Sequence, residues 1–280
     1  MLVLLLACSD AVPQDSETGL APQETPPRFL GLDELPEQSL LIDVRSASEF
    51  DAGHIPGAVN VPWSDLRAEQ MGISGQLADP QVISAAFAEV GLVQEQAVLL
   101  YDARSSRDAG RLAWSLEISG HSVLVQILDG GWQQWTEQDL ESSTQLPETA
   151  MSDWQATAPS PTPVDADWIY ARLDSSEMWV LDVRTPEEFA TGHIPGALNV
   201  EWSTSTHTQG SELGLLLPEA ELQDLYAALP KDATVVVSCQ SGARAGHSWA
   251  VLPTLGFEDV RLYDGSWNEW SSRDDLPVER

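Results

Sequence analysis

The sequence predicts an α/β protein of two tandem domains, each a parallel sheet covered by helices on both faces. Three observations lead there. The chain has 280 residues, and at roughly 150 residues per domain this is enough for two units that each bury a core. The segment Leu41 to Ser64, LIDVRSASEFDAGHIPGAVNVPWS, aligns without a gap to Val180 to Ser203, VLDVRTPEEFATGHIPGALNVEWS, at a constant offset of 139 residues with 15 of 24 positions identical. A duplication is the simplest source of such a match. Finally, short apolar runs (Leu40 to Val44, Val98 to Tyr101, Val123 to Leu128; then Trp179 to Val183, Val235 to Ser238, Val260 to Tyr263) alternate with helical stretches such as Pro218 to Leu229. Continuous apolar runs separated by helices are the pattern of parallel strands buried on both sides.

Composition sets the boundaries in chain order. The first eight residues, MLVLLLAC, resemble the end of a bacterial lipoprotein signal, in which the cysteine of the LLAC box is acylated. No Lys or Arg precedes this stretch, and it is shorter than the roughly seven to fifteen residues of a signal core, so a truncated signal is expected, with a frayed apolar terminus as the alternative. On the first reading Cys8 carries lipid. The chain then sits in the cell envelope, anchored to the membrane and facing the periplasm; on the second it is cytoplasmic. Residues 9–27, rich in Pro, Ser, Thr, Gln and Glu, read as a disordered tether. A first domain over 28–144, a proline-bearing linker over 145–163 and a second domain over 164–280 follow.

The second domain carries the candidate chemistry. The β-branched run Thr234 to Ser238 reads as a buried strand, the stretch Ala245 to Leu252 as a helix, and between them lies the loop CQSGAR, Cys239 to Arg244. Pro253 is expected to end or kink that helix near Leu252, with Gly256 as the stop. A cysteine at this turn stands where the N–H groups of Gln240, Ser241, Gly242, Ala243 and Arg244 can converge as an anion nest beside a helix N-terminus. Gly242 permits the sharp turn. Positive surroundings lower a thiol from its ordinary value near ~8.5, so Cys239 is expected to act as a thiolate nucleophile.

This loop, the segment DVRTPEEFATGHIPGALNV (Asp182 to Val200) and the downstream RLYDGSWNEW (Arg261 to Trp270) together resemble the rhodanese family of sulfurtransferases. The resemblance implies two tandem rhodanese-like domains of the thiosulfate or 3-mercaptopyruvate type, with a silent first domain packed against an active second one. In the first copy VLLYDARSSR (Val98 to Arg107) lies opposite VVVSCQSGAR, which places Asp102 at the position of Cys239, Ser105 opposite Gly242 and Arg107 opposite Arg244. An aspartate cannot carry a persulfide, and a loop with Ser105 in place of glycine is not expected to form the same nest. The implied reaction is ping-pong transfer of a sulfane sulfur through Cys239, with neither metal nor organic cofactor. The acceptor is cyanide, a thiol or a carrier protein. Ser241 matches the mercaptopyruvate-type loop, whereas Arg244 stands where that type has threonine and suits a dianion, so thiosulfate is favoured.

Charge limits the partners. With 44 acidic residues against 13 basic ones, the net charge is −31, which excludes nucleic acid and repels anions at long range. An anion site must therefore bring its own cations, and Arg244 and Arg184 are the candidates; Arg184 has a salt bridge to Glu187 or Glu188 as its alternative role. His54 and His193 occur in both GHIPGA segments and are expected to be hydrogen-bonded turn residues, and the tryptophans to pack cores and the domain interface. Two other classes remain: a phosphatase, which places five residues between Cys and Arg where this loop has four, and a non-catalytic binding module, a role that suits the first domain.

Overall fold

The computed structural model describes residues 26–158 and 163–280. The expected signal with Cys8, the tether through residue 25 and residues 159–162 of the linker lie outside the described residues. The first unit is a five-stranded parallel sheet in the order Phe29–Leu30, Val125–Leu128, Val98–Tyr101, Leu40–Asp43, Val59–Asn60. The second has four parallel strands, Asp259–Leu262, Thr234–Ser238, Met178–Asp182, Leu198–Asn199, and a single parallel bridge from Val164 to Tyr263 at one edge.

Alternate side chains of the central strands enter different cores. Val98 and Leu100 join one cluster while Leu99 and Tyr101 join another; Val235 and Val237 part from Val236 in the same way. Both faces of each sheet are thus dry, which is why these strands read as unbroken apolar runs. The cluster containing Val98, Leu100, Val235 and Val237 is continuous between the two units.

The shared core forms around the helices Arg107–Ile118 and Ala243–Val251, each of which follows the central strand of its own sheet. They touch backbone to backbone. A Cβ placed on Gly110 would lie 2.5 Å from the carbonyl oxygen of Gly246 and 2.9 Å from the nitrogen of His247, and one on Gly246 would lie 2.8 Å from the Cβ of Arg111. Beyond Val251 a 3-10 turn, Leu252–Leu255, takes up Pro253 in its first turn and ends at Gly256 with φ 86°. The proline therefore redirects the helix where the sequence requires it to stop.

Local signals are honoured at the repeated helices Ala47–Ala52 and Pro186–Thr191. Each opens with a capping box, Ser46 with Glu49 and Thr185 with Glu188. His54 and His193 are turn residues: their Nδ1 atoms lie 2.9 and 3.0 Å from the carbonyls of Phe50 and Phe189, and their rings stack on those phenylalanines. Of the expected tryptophans, Trp63, Trp114, Trp154, Trp249 and Trp270 are buried. The linker stretch before residue 159 is laid along the first domain, with Ser152 and Thr157 donating backbone hydrogen bonds to Ala88 and Ser119.

An antiparallel hairpin, Arg67–Gln70 paired with Ile73–Leu77, was not expected from the sequence. Its strands are polar, and what fixes them is the other domain: the Leu77 N–H donates to Asp264 Oδ2 at 3.0 Å. The matching excursion of the second domain is returned symmetrically, the Leu216 N–H donating to Asp129 Oδ1 at 3.0 Å. Because the helix crossing has no room for a methyl group, Gly246→Ala is expected to cost about 2 kcal/mol in urea unfolding despite alanine's better helix propensity. An unchanged midpoint would show that the crossing can open.

Candidate active site

The strand Thr234–Ser238 ends at Cys239, and the following loop turns into the helix Ala243–Val251 through Gly242 at φ 81°. Glycine is required there twice over, by the left-handed backbone and because a Cβ would lie 3.1 Å from both Arg111 Cζ and the Asp264 carbonyl oxygen. The entry to the loop is clamped by the segment around Trp267. The Cys239 N–H donates to Ser266 Oγ at 3.2 Å, the Cys239 carbonyl accepts from the Trp267 N–H at 3.0 Å, and the Gln240 carbonyl accepts from the Asn268 N–H at 2.9 Å. Cys239 is buried, with a free thiol. Among the described residues no protein acceptor takes the N–H groups of Gln240 to Arg244.

The two candidate arginines have different fates. Arg244 reaches back to Glu188, with Nη1 and Nη2 donating to its two carboxylate oxygens at 2.6 and 2.9 Å. That ion pair, foremost among several causes, lowers the Glu188 carboxyl to about 2, and Arg244 is itself raised by Glu188 and by Cys239. Arg184 does not line the cavity at Cys239. It is buried, donating to Asp182 through Nε at 3.0 Å and through Nη2 at 2.7 Å, with a further bond from Nη2 to the Gly192 carbonyl, and it lies over the Trp267 ring. Arg45 repeats this arrangement on Asp43, Gly53 and Trp132. Arg184 therefore does not reach the cavity as a substrate ligand, and its ion pair is with Asp182 instead of Glu187 or Glu188.

The first-domain loop corrects two further expectations. It does form a nest. The Asp102 carboxylate accepts backbone hydrogen bonds from Arg104 and Ser106 on Oδ1, at 2.9 and 3.0 Å, and from Asp108 and Ala109 on Oδ2, at 2.7 and 2.9 Å. Ser105 and Ser106 take the left-handed conformation that glycine would have adopted without strain. Burial pushes the Asp102 carboxyl upward, against the pull of those donors. In addition, Ser106 is the residue preceding its helix, as Gly242 is in the other copy, and the pairs Gly110 to Ser106 and Gly246 to Gly242 make the same turn. The first loop is thus one residue longer, and Asp108, not Arg107, occupies the place of Arg244.

Both loops face one cavity of about 350 Å³, whose lining includes Cys239, Ser241 and Arg244 from the second domain and Trp63, Arg67 and Arg104 from the first. The profile of the rhodanese-like domain matches residues 31–138 and 165–273. The chain belongs to the rhodanese family. It is 34% identical over 255 residues to a thiosulfate sulfurtransferase of Corynebacterium glutamicum, covering 82% of this chain and 81% of that one. It is 31% identical to a thiosulfate sulfurtransferase of Pseudomonas aeruginosa, covering 93% and 96%. Among solved structures, the 3-mercaptopyruvate sulfurtransferase SseA of Escherichia coli superposes with a TM-score of 0.77 at 28% identity, covering 86% of this chain and 99% of that one. The protein is accordingly a rhodanese-type sulfurtransferase.

Sequence reasoning missed what the first rhodanese domain contributes to this site. The hairpin brings Gly75 against the loop, where a Cβ would lie 2.7 Å from that of Ser241. Arg111, fully buried, sandwiches its guanidinium between Trp63 and Trp114, pairs with Asp264 across the interface and packs beneath Gly242. No local pattern marks these residues, because each acts on a loop more than 100 positions away.

Two measurements bear on this geometry. A carboxyl lowered in the folded state adds stability above its unfolded value, and that stability is lost as pH falls through the folded value. Glu188 should thus contribute above pH 4.5 and lose its contribution toward about 2, so Glu188→Gln should flatten the acid limb of the stability profile across that window; an identical limb would place Arg244 elsewhere. Asp102→Ala orphans four N–H donors, those of Ser106 and Ala109 buried, and should cost about 3 kcal/mol by chemical denaturation. A change under about 0.5 kcal/mol would show that the first nest is not formed as described.

Proposed function

We propose that the protein moves a sulfane sulfur from thiosulfate to a thiophilic acceptor through a persulfide on Cys239. One contrast carries this reading: the first nest is filled by its own Asp102 carboxylate, whereas the nest at Cys239 has its N–H groups free of protein acceptors. An anion built on the Cys239 sulfur would have there the donors that Asp102 has in the first domain.

In the first half-reaction the Cys239 thiolate attacks the outer sulfur of thiosulfate. A sulfur–sulfur bond forms, the bond to the sulfonate sulfur breaks with its electron pair, and sulfite leaves, while the terminal persulfide sulfur takes the negative charge into the loop. Cyanide or a thiolate then attacks that terminal sulfur and returns Cys239 as thiolate, giving thiocyanate or a new persulfide. Gln240 to Arg244 hold the anion through backbone N–H groups, and Gln240 is itself fixed by Asn268, its Nε2 donating to Oδ1 at 2.6 Å. The cavity of about 350 Å³ admits a small dianion, and its arginine-rich wall supports thiosulfate over the monoanionic 3-mercaptopyruvate. A lipid anchor at Cys8 and a place in the cell envelope are proposed from the sequence alone.

Mass spectrometry after incubation with thiosulfate should find the mass of one added sulfur on the peptide containing Cys239, and Cys239→Ser should lose both the adduct and turnover. Turnover persisting in that variant would falsify the mechanism. An adduct formed from 3-mercaptopyruvate alone would reassign the donor while keeping the nucleophile.

A further inference from the structure

We infer that the domain without a nucleophile supplies the cationic half of the donor site, with Arg67 and Arg104 receiving the anionic end of the donor over Cys239. Five arginines line the cavity, Arg45, Arg67, Arg104, Arg107 and Arg244, against three acids, Glu49, Asp102 and Asp108. In a chain of net charge −31 this is a local reversal of sign. Four of the five arginines come from the first domain.

Their partners decide which are free to act. Arg45 is buried on Asp43, Arg244 is held by both oxygens of Glu188, and Arg107 is held by both oxygens of Asp108 at 2.9 and 3.1 Å. Arg104 is left with a 3.8 Å approach to the same Asp108, and its side chain is 57% exposed. Arg67 is exposed and makes no ion pair among the described residues. Asp102, the acid nearest in sequence to Arg104, has its oxygens engaged by four backbone donors.

Both free arginines have backbones anchored on groups that serve the site. Arg67 pairs across its hairpin with Leu77, whose N–H binds Asp264 of the other domain, and the same hairpin abuts Ser241 at Gly75. The N–H of Arg104 is itself one of the four donors to Asp102. The self-filled nest thereby fixes the backbone of a cation that lines the cavity at Cys239. Held in this way, a sulfonate bound by the two guanidiniums presents its outer sulfur toward Cys239.

The donor's identity rests on the sulfur-transfer reading, and the experiment separates the two. The probes are thiosulfate, and the pair iodoacetate and iodoacetamide, which alkylate the same thiol with and without a negative charge. Arg67→Gln with Arg104→Gln together should lower kcat/KM for thiosulfate about thirtyfold, mainly through KM, and lower the ratio of iodoacetate to iodoacetamide rates at Cys239 about tenfold. Arg67→Lys with Arg104→Lys should restore most of the alkylation ratio, since charge alone sets it. An unchanged ratio in the doubly neutralised protein, with its thermal midpoint intact, overturns the inference. If the wild-type protein takes no sulfur from thiosulfate, the donor assignment fails, and the alkylation ratio still decides where the cations lie.

Discussion

Backbone contact between Gly110 and Gly246 positions both halves of the site at once. Each glycine lies in the first turns of the helix that leaves its domain's loop, so a crossing at that point brings the two loops to the same cavity. A crossing further along either helix would separate them by the rise of about 1.5 Å per residue. The contact is close enough that side chains are excluded from it, and the apolar residues flanking it, among them Leu112, Trp249 and Ala250, merge into one core. The two domains are therefore halves of a single packed body where the two loops meet.

Duplication has preserved the scaffold and altered the loops. Asp43 with Arg45 and Asp182 with Arg184 make the same buried staple, closing on Gly53 and Gly192 and stacking on Trp132 and Trp267. Buried charges of this kind are tolerable only when hydrogen-bonded on all sides, and here each guanidinium has a carboxylate, a carbonyl and an indole face. Between the loops the differences include an aspartate in place of Cys239, an acid in place of Arg244, and one additional residue. Those changes convert an open anion nest into one filled from within, without dismantling it.

Several site features were legible because they depend on neighbours in sequence. Strand, sharp turn and helix around Cys239 follow from a β-branched run, a glycine and an apolar helix. Arg184 was misjudged because a position at a strand end says nothing about which way a long side chain turns; Asp182, two residues away, captures it. The hairpin around Met71 was missed because its strands have no apolar alternation and are held by Asp264, almost two hundred positions later. The nest at Asp102 was missed because serine rarely takes positive φ, yet Ser105 and Ser106 do so with four hydrogen bonds closing on one carboxylate.

By itself, then, the sequence determined the α/β class, the repeat, the parallel strands and the strand-loop-helix around Cys239, since each of these rests on periodicity or on residues within a few positions of one another. Tertiary structure alone decided which arginines are spent and which are free, that the two loops share a cavity, and that the first domain builds part of the wall around Cys239. The shared cavity and its wall depend on pairings between groups separated by 100 residues or more, such as Arg111 with Asp264, whereas the arginines are spent on acids 1, 2 and 56 positions away, chosen by the direction each side chain takes once the two cores have packed together.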